Sequence, residues 1–473
     1  MTNFRSNLSV ILLALLDIVI VNVGFALAFW LRYDITFLVK FKLVRTNLDP
    51  YINLIPWLSV LSLVVFYLFD LYSGWRRKRL YNLIFSVVLS VLVITAFTMI
   101  LTFWYRGFAF PRSVILIALF TQILLLAVVR STLWLIARKF FGSRKVLIVG
   151  QSIEDGVIIA NKFIEHSIGW FDVKGFLPFS EWQDKVGKIN ECDVVLISPA
   201  LAKQQKSEII SYCTRHGKEA LLVPELYELF VLGSDPQHIS DMLVFSITPP
   251  KLNPGQLFAK RLFDIITALC FIILLSPVLI LLCILIPVTS KGPVLYKQER
   301  LGRNGKKYFI YKFRSMVQDA EKLSGPVLAS SLDPRITKIG RFIRATRLDE
   351  IPQFFNVLKG DMSLVGPRPE RDHFIRQFVA VIPDYSSRML VKPGITGLAQ
   401  VFGNYSSSVE DKLRFDLMYI RNYSFALDIK IMLQTIRVVL QREQAEGVKE
   451  ANNAFKKKLM NELGYKETSS TLE

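Results

Sequence analysis

Residues 260–293 read KRLFDIITALCFIILLSPVLILLCILIPVTSKGP. From Leu262 to about Thr289 this is one apolar stretch, interrupted near its middle by Ser276-Pro277. Proline removes a backbone donor and disfavours helical geometry at the residue before it, so the text predicts a helix that kinks or breaks at Ser276. Two placements are open on these residues. One is a kinked helix that crosses the bilayer; the other is a re-entrant helix that turns at Ser276-Pro277 and leaves on the side it entered. Basic residues flank both ends (Lys260 and Arg261; Lys291, Lys297 and Arg300), which favours the second.

Toward the N-terminus, four further apolar stretches fill the first third of the chain, at residues 10–31, 52–71, 80–105 and 113–136. Each is about 20 residues long, enough as helix to cover the hydrocarbon core. The first follows a single basic residue, Arg5, and ends in bulky side chains, so it reads as a retained helix and not as a signal peptide. Trp75-Arg-Arg-Lys-Arg79 and the group Arg138, Lys139, Arg144 and Lys145 mark the cytoplasmic side and put both termini inside. Lys40, Lys42 and Arg45 in the first loop run against that rule. Asp17, inside the first span, is read as an interior hydrogen bond of the bundle in preference to a functional site.

The composition agrees with a membrane protein. Hydrophobic residues make up 52% of the 473 and charged residues 21%, which excludes a disordered chain and a small disulfide-stapled fold. The net charge of +19 divides into +8 over residues 1–137, −2 over 138–250 and +13 over 251–473. Basic blocks on either side of a near-neutral one suit a protein that lies on anionic lipid and handles phosphates; nucleic acid is not the expected partner. The four cysteines (192, 213, 270 and 283) show no CxxC spacing, and the four histidines form no zinc or haem pattern. A reduced, cytosol-facing body follows.

That body begins with short apolar strands at 145–149, 173–177, 194–198 and 220–223, separated in part by helical text, which predicts a small parallel α/β module over 138–250. The first strand runs into Gly150-Gln-Ser-Ile-Glu-Asp-Gly156, where a dinucleotide fold would carry GxGxxG. Ser152 stands where glycine would let a pyrophosphate approach, and Glu154 and Asp155 would repel it. A structural or regulatory module is the preferred reading, with a Rossmann-like shape but no working phosphate loop. A Pro-rich joint at 248–255 closes it. Beyond the broken helix, Asn304-Gly305 between two strand-like runs predicts a hairpin.

The densest chemical text lies from Lys312 to Gln400: KFRSM at 312–316, Arg341, Arg344 and Arg347, LDEIPQFFNVLKGDMSLVGPRP at 348–369, and PGITGLAQ at 393–400. Read alone, Asp349-Glu350 ahead of a short apolar helix with an early proline looks like a capped helix N-terminus. The surrounding arginines argue otherwise. Guanidinium groups bind phosphates by paired hydrogen bonds, and the prolines around Arg368 fix the loop that presents it. A solvated or lipid-facing basic surface is the alternative for each arginine taken singly. Carboxylates among such arginines beside a membrane segment suggest magnesium-dependent phosphoryl transfer, with Asp349 able to serve as nucleophile.

On these motifs, residues from about 255 to 442 resemble the catalytic domain of bacterial sugar transferases, the monotopic polyprenyl-phosphate phosphoglycosyl transferases. The four spans and α/β module ahead of them resemble the family's long form. The resemblance implies three parts: a four-helix transmembrane bundle over 1–137, the α/β module over 138–250, and a mixed α/β catalytic domain over 251–473 with a re-entrant helix at about 262–289. It implies transfer of a hexose 1-phosphate from a UDP-hexose, glucose or galactose, to undecaprenyl phosphate at the cytoplasmic face of the bacterial inner membrane, with release of UMP. Asp349 would be the nucleophile and, with the diphosphate, the Mg²⁺ ligand; Glu350 would be its partner in proton handling. Arg368, Lys312, Arg314 and Arg344 would bind the anionic substrates, and Ser276-Pro277 would be the membrane break. The long form leaves room for a homodimer. A non-catalytic membrane scaffold that senses a ligand through the central module is the alternative, and it expects Asp349→Ala to be harmless. An epimerase on that module would need a glycine-rich loop and a Tyr-x-x-x-Lys pair, and neither is in the sequence.

Overall fold

The computed structural model describes residues 2–33, 49–104, 111–152, 155–156, 159–160, 170–232, 234–248, 253–318, 333–403 and 407–440. Lys40, Lys42, Arg45, Glu154, the joint residues 249–252 and the polar tail 456–473 lie outside them. Residues up to 223 form one compact unit, and residues 224–440 are the described part of a second.

The first unit opens with α1 (Thr2–Tyr33), α2 (Asp49–Leu68), α3 (Leu80–Trp104) and α4 (Arg112–Phe141). All four are long and apolar enough to cross a membrane and coincide with the four expected spans. Phe25, Phe29, Tyr51, Leu58, Val114 and Ala118 are buried between them, whereas Leu12, Leu15, Val19, Phe120, Leu124 and Val128 face outward. Outward apolar faces suit a lipid solvent, in which hiding a side chain from hydrocarbon gains nothing and helices associate through close packing and polar contacts. Gly24 provides the close approach of α1 to α4: a Cβ there would lie 2.6 Å from Cγ of Gln122. Across the contact, Gln122 donates to the Val21 carbonyl at 3.1 Å and Thr121 to that of Gly24 at 2.8 Å.

Asp17 is held by more than a hydrogen bond. Arg130 of α4 donates Nη2 to its Oδ2 at 2.5 Å, and both side chains are 1% exposed. Arg130 also reaches the Leu71 carbonyl at 3.3 Å and lies over the Tyr72 ring. Breaking such a pair leaves one uncompensated charge, which costs about 3 kcal/mol, whereas removing both charges is close to neutral. Asp17→Leu alone should therefore lower the melting temperature of detergent-solubilised protein, and Asp17→Leu with Arg130→Leu should restore most of the loss. Equal losses in single and double variants would refute the pairing.

After α4 the chain forms a four-stranded, wholly parallel sheet in the order β2-β1-β3-β4, from β1 (Arg144–Gly150), β2 (Phe171–Pro178), β3 (Val194–Ile197) and β4 (Glu219–Leu222). Helix α5 (Lys203–Arg215) makes the crossover from β3 to β4. Alternate residues divide between the two faces. Leu147, Val149, Val195 and Ile197 join one buried cluster; Val146, Ile148, Val194 and Leu196 join the other. The glycines at the end of β1 and just beyond it serve packing: a Cβ at Gly156 would sit 2.3 Å from the Phe176 ring and one at Gly150 2.9 Å from it.

In the second unit, the exposed hairpin β5 (Asp235–Ile239) and β6 (Met242–Ser246) precedes α6 (Pro254–Leu274) and α7 (Ser276–Thr289). The two helices meet at 61°, at the break that Ser276-Pro277 predicts. Ser276 Oγ donates to the Ile273 carbonyl at 2.7 Å, satisfying one of the acceptors that the break frees. The hairpin β7 (Leu295–Leu301) and β8 (Lys307–Phe313) follows, with Asn304 and Gly305 both at positive φ in the turn, as the Asn-Gly pair predicts. The rest is α8 (Lys338–Ala345), α9 (Gln353–Lys359), β9 (Ser363–Val365), α10 (Asp372–Val381), β10 (Gly394–Thr396), α11 (Val409–Arg421) and α12 (Phe425–Leu440). Its core gathers Val357, Leu364, Ile375, Leu417 and Ile431 around the short parallel pair β9–β10. The stretch 224–248 goes with this unit: Leu229 joins its core, and Arg414 and Arg421 donate to the carbonyls of Pro224 and Thr248.

Both ends of the broken helix pair are tied to this unit by polar side chains. Near the start of α6, Lys260 donates to Asp428 at 2.6 Å, Arg261 to the carbonyls of Val357 and Leu358 at 2.6 and 2.7 Å, and Asp264 accepts from the Leu364 amide at 3.1 Å. At the far end of α7, Arg314 donates to the Ser290 carbonyl and hydroxyl at 2.5 and 2.8 Å. Leu282 and Ile286 pack there on Phe313 and Ile343.

Candidate functional site

The site is built on the free edge of β8. In a two-stranded sheet the outer strand has backbone groups without a ladder partner. The fully buried Asn356 of α9 supplies one: its Oδ1 accepts from the Tyr311 amide at 3.0 Å and its Nδ2 donates to the Phe309 carbonyl at 2.7 Å. One amide side chain thus locks α9 alongside β8 and sets the turn before α9 against Lys312. Asn356→Ala leaves both backbone groups unsatisfied. It should cost about 2 kcal/mol of stability, read as a lower denaturation midpoint; an unchanged midpoint would refute the docking role.

That turn carries the two acids. Arg347 sits in the left-handed region at φ 59°, an uncommon setting for a residue with a Cβ, and reverses the chain into the 3₁₀ turn Leu348–Glu350. The carboxylates do not cap α9, contrary to the reading of 348–360 in isolation; the residue preceding α9 is Pro352, with no side-chain cap. Glu350 instead turns to β8 and to the 366–370 loop. Its Oε1 accepts from Lys312 Nζ at 2.7 Å and from Arg368 Nη2 at 2.9 Å, so one oxygen bridges two cations. Burial pushes the Glu350 carboxyl up, but the charges of Arg368 and Lys312 outweigh it and hold it well below the usual carboxylate range.

Asp349 is in the opposite state. It is 8% exposed and, among the described residues, its carboxylate has no hydrogen-bond or ion-pair partner. Burial first, and then the neighbouring Glu350 charge, raise its pKa from 3.8 to about 6, against the pull of Lys312, Arg344 and Arg347. Two adjacent carboxyls are thus separated by environment: one fixed and strongly ionised, the other buried, unpartnered and more basic.

Beside Glu350 opens a small surface hollow lined by Arg300, Lys312, Gln353, Arg368 and Pro369. Arg368 is 41% exposed at its rim. Of the residues singled out in the sequence, Lys312, Asp349, Glu350 and Arg368 come together here, with Arg344 at the last turn of α8 acting on Asp349 through space. Arg314 points away, to the end of α7, and Ser276 and Pro277 mark the bend. Gln353 and Asn356 had no signal in the sequence beyond lying within the motif-rich stretch, and Arg300 none beyond its place among the basic residues flanking the broken helix; only their packing brings them to the site. Among the described residues no cluster of three or more His, Cys, Asp or Glu could hold a metal by itself.

Residues 255–442 match the family described as bacterial sugar transferase. A UDP-glucose:undecaprenyl-phosphate glucose-1-phosphate transferase of Klebsiella pneumoniae is 32% identical over 427 residues, 80% of this chain and 87% of that protein. A UDP-N-acetylgalactosamine-undecaprenyl-phosphate N-acetylgalactosaminephosphotransferase of Aeromonas hydrophila is 44% identical over 206 residues, 43% of this chain and 48% of that protein. An undecaprenyl-phosphate galactose phosphotransferase of Salmonella typhimurium is 36% identical over 246 residues, 49% of this chain and 51% of that protein. The chain thus spans about half the length of two of these relatives and most of the third.

Proposed function

Because the chain belongs to the bacterial sugar transferase family, we propose that it moves a hexose 1-phosphate from a UDP-hexose to undecaprenyl phosphate and releases UMP. The observation that carries this reading is the buried, unpartnered carboxylate of Asp349 beside a Glu350 already neutralised by Lys312 and Arg368. A nucleophile must be free and basic, and Asp349 is both.

In the first step an Asp349 carboxylate oxygen attacks the sugar-proximal phosphorus. The bond from that phosphorus to the bridging oxygen breaks, UMP leaves, and the hexose phosphate is held as an acyl phosphate on Asp349. In the second, a phosphate oxygen of the lipid carrier attacks the same phosphorus and the Asp349 carboxylate is the leaving group. The product is a lipid diphosphate sugar. Arg368 and Lys312 supply positive charge where negative charge develops on the diphosphate as UMP leaves, and Glu350 holds the two in register. Asp349 and the substrate diphosphate would share an Mg²⁺. Magnesium needs only one or two carboxylates when phosphate oxygens and water complete its shell, so a site without an all-protein cage fits it. When bound, that ion would neutralise charge on the diphosphate.

The re-entrant placement of α6 and α7 belongs to the same proposal. Its support is that Lys260 and Arg261 at one end, and Arg314 at the other, anchor to one compact unit, which suits a helix pair whose ends stay on one side. Cytosolic UDP-sugars would then meet the acceptor at headgroup depth on the inner face of the inner membrane. The test is UMP release from purified protein with undecaprenyl phosphate and Mg²⁺ over UDP-glucose, UDP-galactose and their N-acetylated forms. Release with one donor, lost in Asp349→Asn, is the expected result; no release with any donor from folded protein would sink the reading.

A further inference from the structure

Arg368 reaches the site from a loop that cannot hold itself. Pro367 and Pro369 have no N–H, so the loop has fewer backbone donors for closing a turn, and its carbonyls take partners from outside. All four are met. The Pro367 carbonyl accepts from the Gly394 amide at 3.0 Å and that of Glu370 from the Leu301 amide at 3.2 Å. Between them, two arginine side chains do the same: Arg388 Nη2 donates to the Arg368 carbonyl at 2.9 Å, and Arg300 Nη1 to that of Pro369 at 3.2 Å.

Each of these arginines is itself held. Arg388 is buried, pairs with the buried Asp416 of α11 at 2.7 Å and donates Nη1 to the Tyr385 hydroxyl at 2.6 Å. Arg300 lies 3.6 Å from the Glu370 carboxylate and donates to Gln298 at 2.7 Å. The Arg368 guanidinium donates to Glu350 but is 41% exposed at the end of a flexible stem. Fixing its backbone from both sides removes much of the freedom that binding an anion would otherwise have to freeze out.

We propose that Arg388 and Arg300 are positioning residues that fix the backbone of Arg368 so that its guanidinium meets the donor diphosphate in one geometry. The inference rests on the phosphoglycosyl transfer reading. Arg388 acts through Arg368, and Arg300, although it also lines the hollow beside Glu350, is assigned the same indirect role, which the cycle below tests.

The test is a double-mutant cycle of Arg388→Lys with Arg368→Ala, read both as kcat/KM for UMP release and as UDP affinity by calorimetry on the full chain. Lysine keeps the charge facing Asp416 but cannot span three acceptors. Arg388→Lys alone should lower kcat/KM about 10- to 100-fold and weaken UDP binding, with the melting temperature within a few degrees of wild type. On the Arg368→Ala background the same change should cost less than about threefold in either quantity, because the group it positions is gone. An equal loss on both backgrounds, or no loss on either, would overturn the proposal. Should Arg388→Lys fail to fold, Arg300→Lys, nearer the surface, runs the same cycle with the same outcomes. Wild-type protein that binds UDP but releases no UMP would defeat the transfer reading while the affinity cycle still decides the clamp; protein that binds no UDP would defeat both.

Discussion

Asp349→Asn should lower UMP release by at least about 10³-fold and at the same time make the protein more stable at neutral pH. The first effect follows from removing the attacking oxygen's charge. The second follows from the environment of that oxygen: burial and the Glu350 charge raise the Asp349 pKa to about 6 in the folded chain, from 3.8. The folded state therefore favours the protonated carboxyl. Below pH 4 both folded and unfolded chains carry the proton and nothing is lost; as pH rises through about 6, the folded chain must give it up at a cost the unfolded chain does not bear. That cost is on the order of 2 kcal/mol at neutral pH, and asparagine avoids it. With a chelator present, the melting temperatures of Asp349→Asn and wild type should coincide near pH 4, then diverge between pH 4 and 6 with the variant ahead by a few degrees. A variant less stable than wild type at pH 7 would contradict a strained, functional carboxylate.

Glu350→Gln should move stability the other way. Glu350 is held well below its ordinary pKa by Arg368 and Lys312, so its ionised form stabilises the fold at neutral pH and that contribution fades as pH falls through its folded pKa. Glutamine leaves two cations facing each other with no anion between them. Arg368 is well exposed, so solvent screens part of the repulsion, and a loss of about 2 kcal/mol is the expected scale. Activity should fall as well, because Lys312 and Arg368 lose the oxygen that keeps them in register. Neighbouring substitutions of opposite sign on stability, both reducing turnover, would distinguish this site from an ordinary surface acid pair. Stabilisation by both would remove the argument that Glu350 organises the cations.

Features written in near neighbours were legible in the residues alone. Four apolar runs of bilayer length became four helices, and Pro277 broke the fifth apolar stretch where its missing N–H requires. Asn304-Gly305 turned a hairpin, and short β-branched runs paired into a parallel sheet. Each of these is a local preference of backbone or periodicity, and a few residues suffice to state it. Tertiary structure decided which side chains meet. Asp17 found Arg130 at a separation of 113 residues, and Lys312 found Glu350 at 38. The same packing turned Asp349 and Glu350 from an apparent helix cap into a buried nucleophile candidate and a bridging anion, and sent Arg314 to the end of α7. It also brought Arg300 and Arg388 to the carbonyls beside Arg368 from 69 and 20 residues away. Long polar side chains carry little local preference; their partners are fixed by how the hydrophobic layers bring distant segments together, and the same burial then sets each carboxyl's charge.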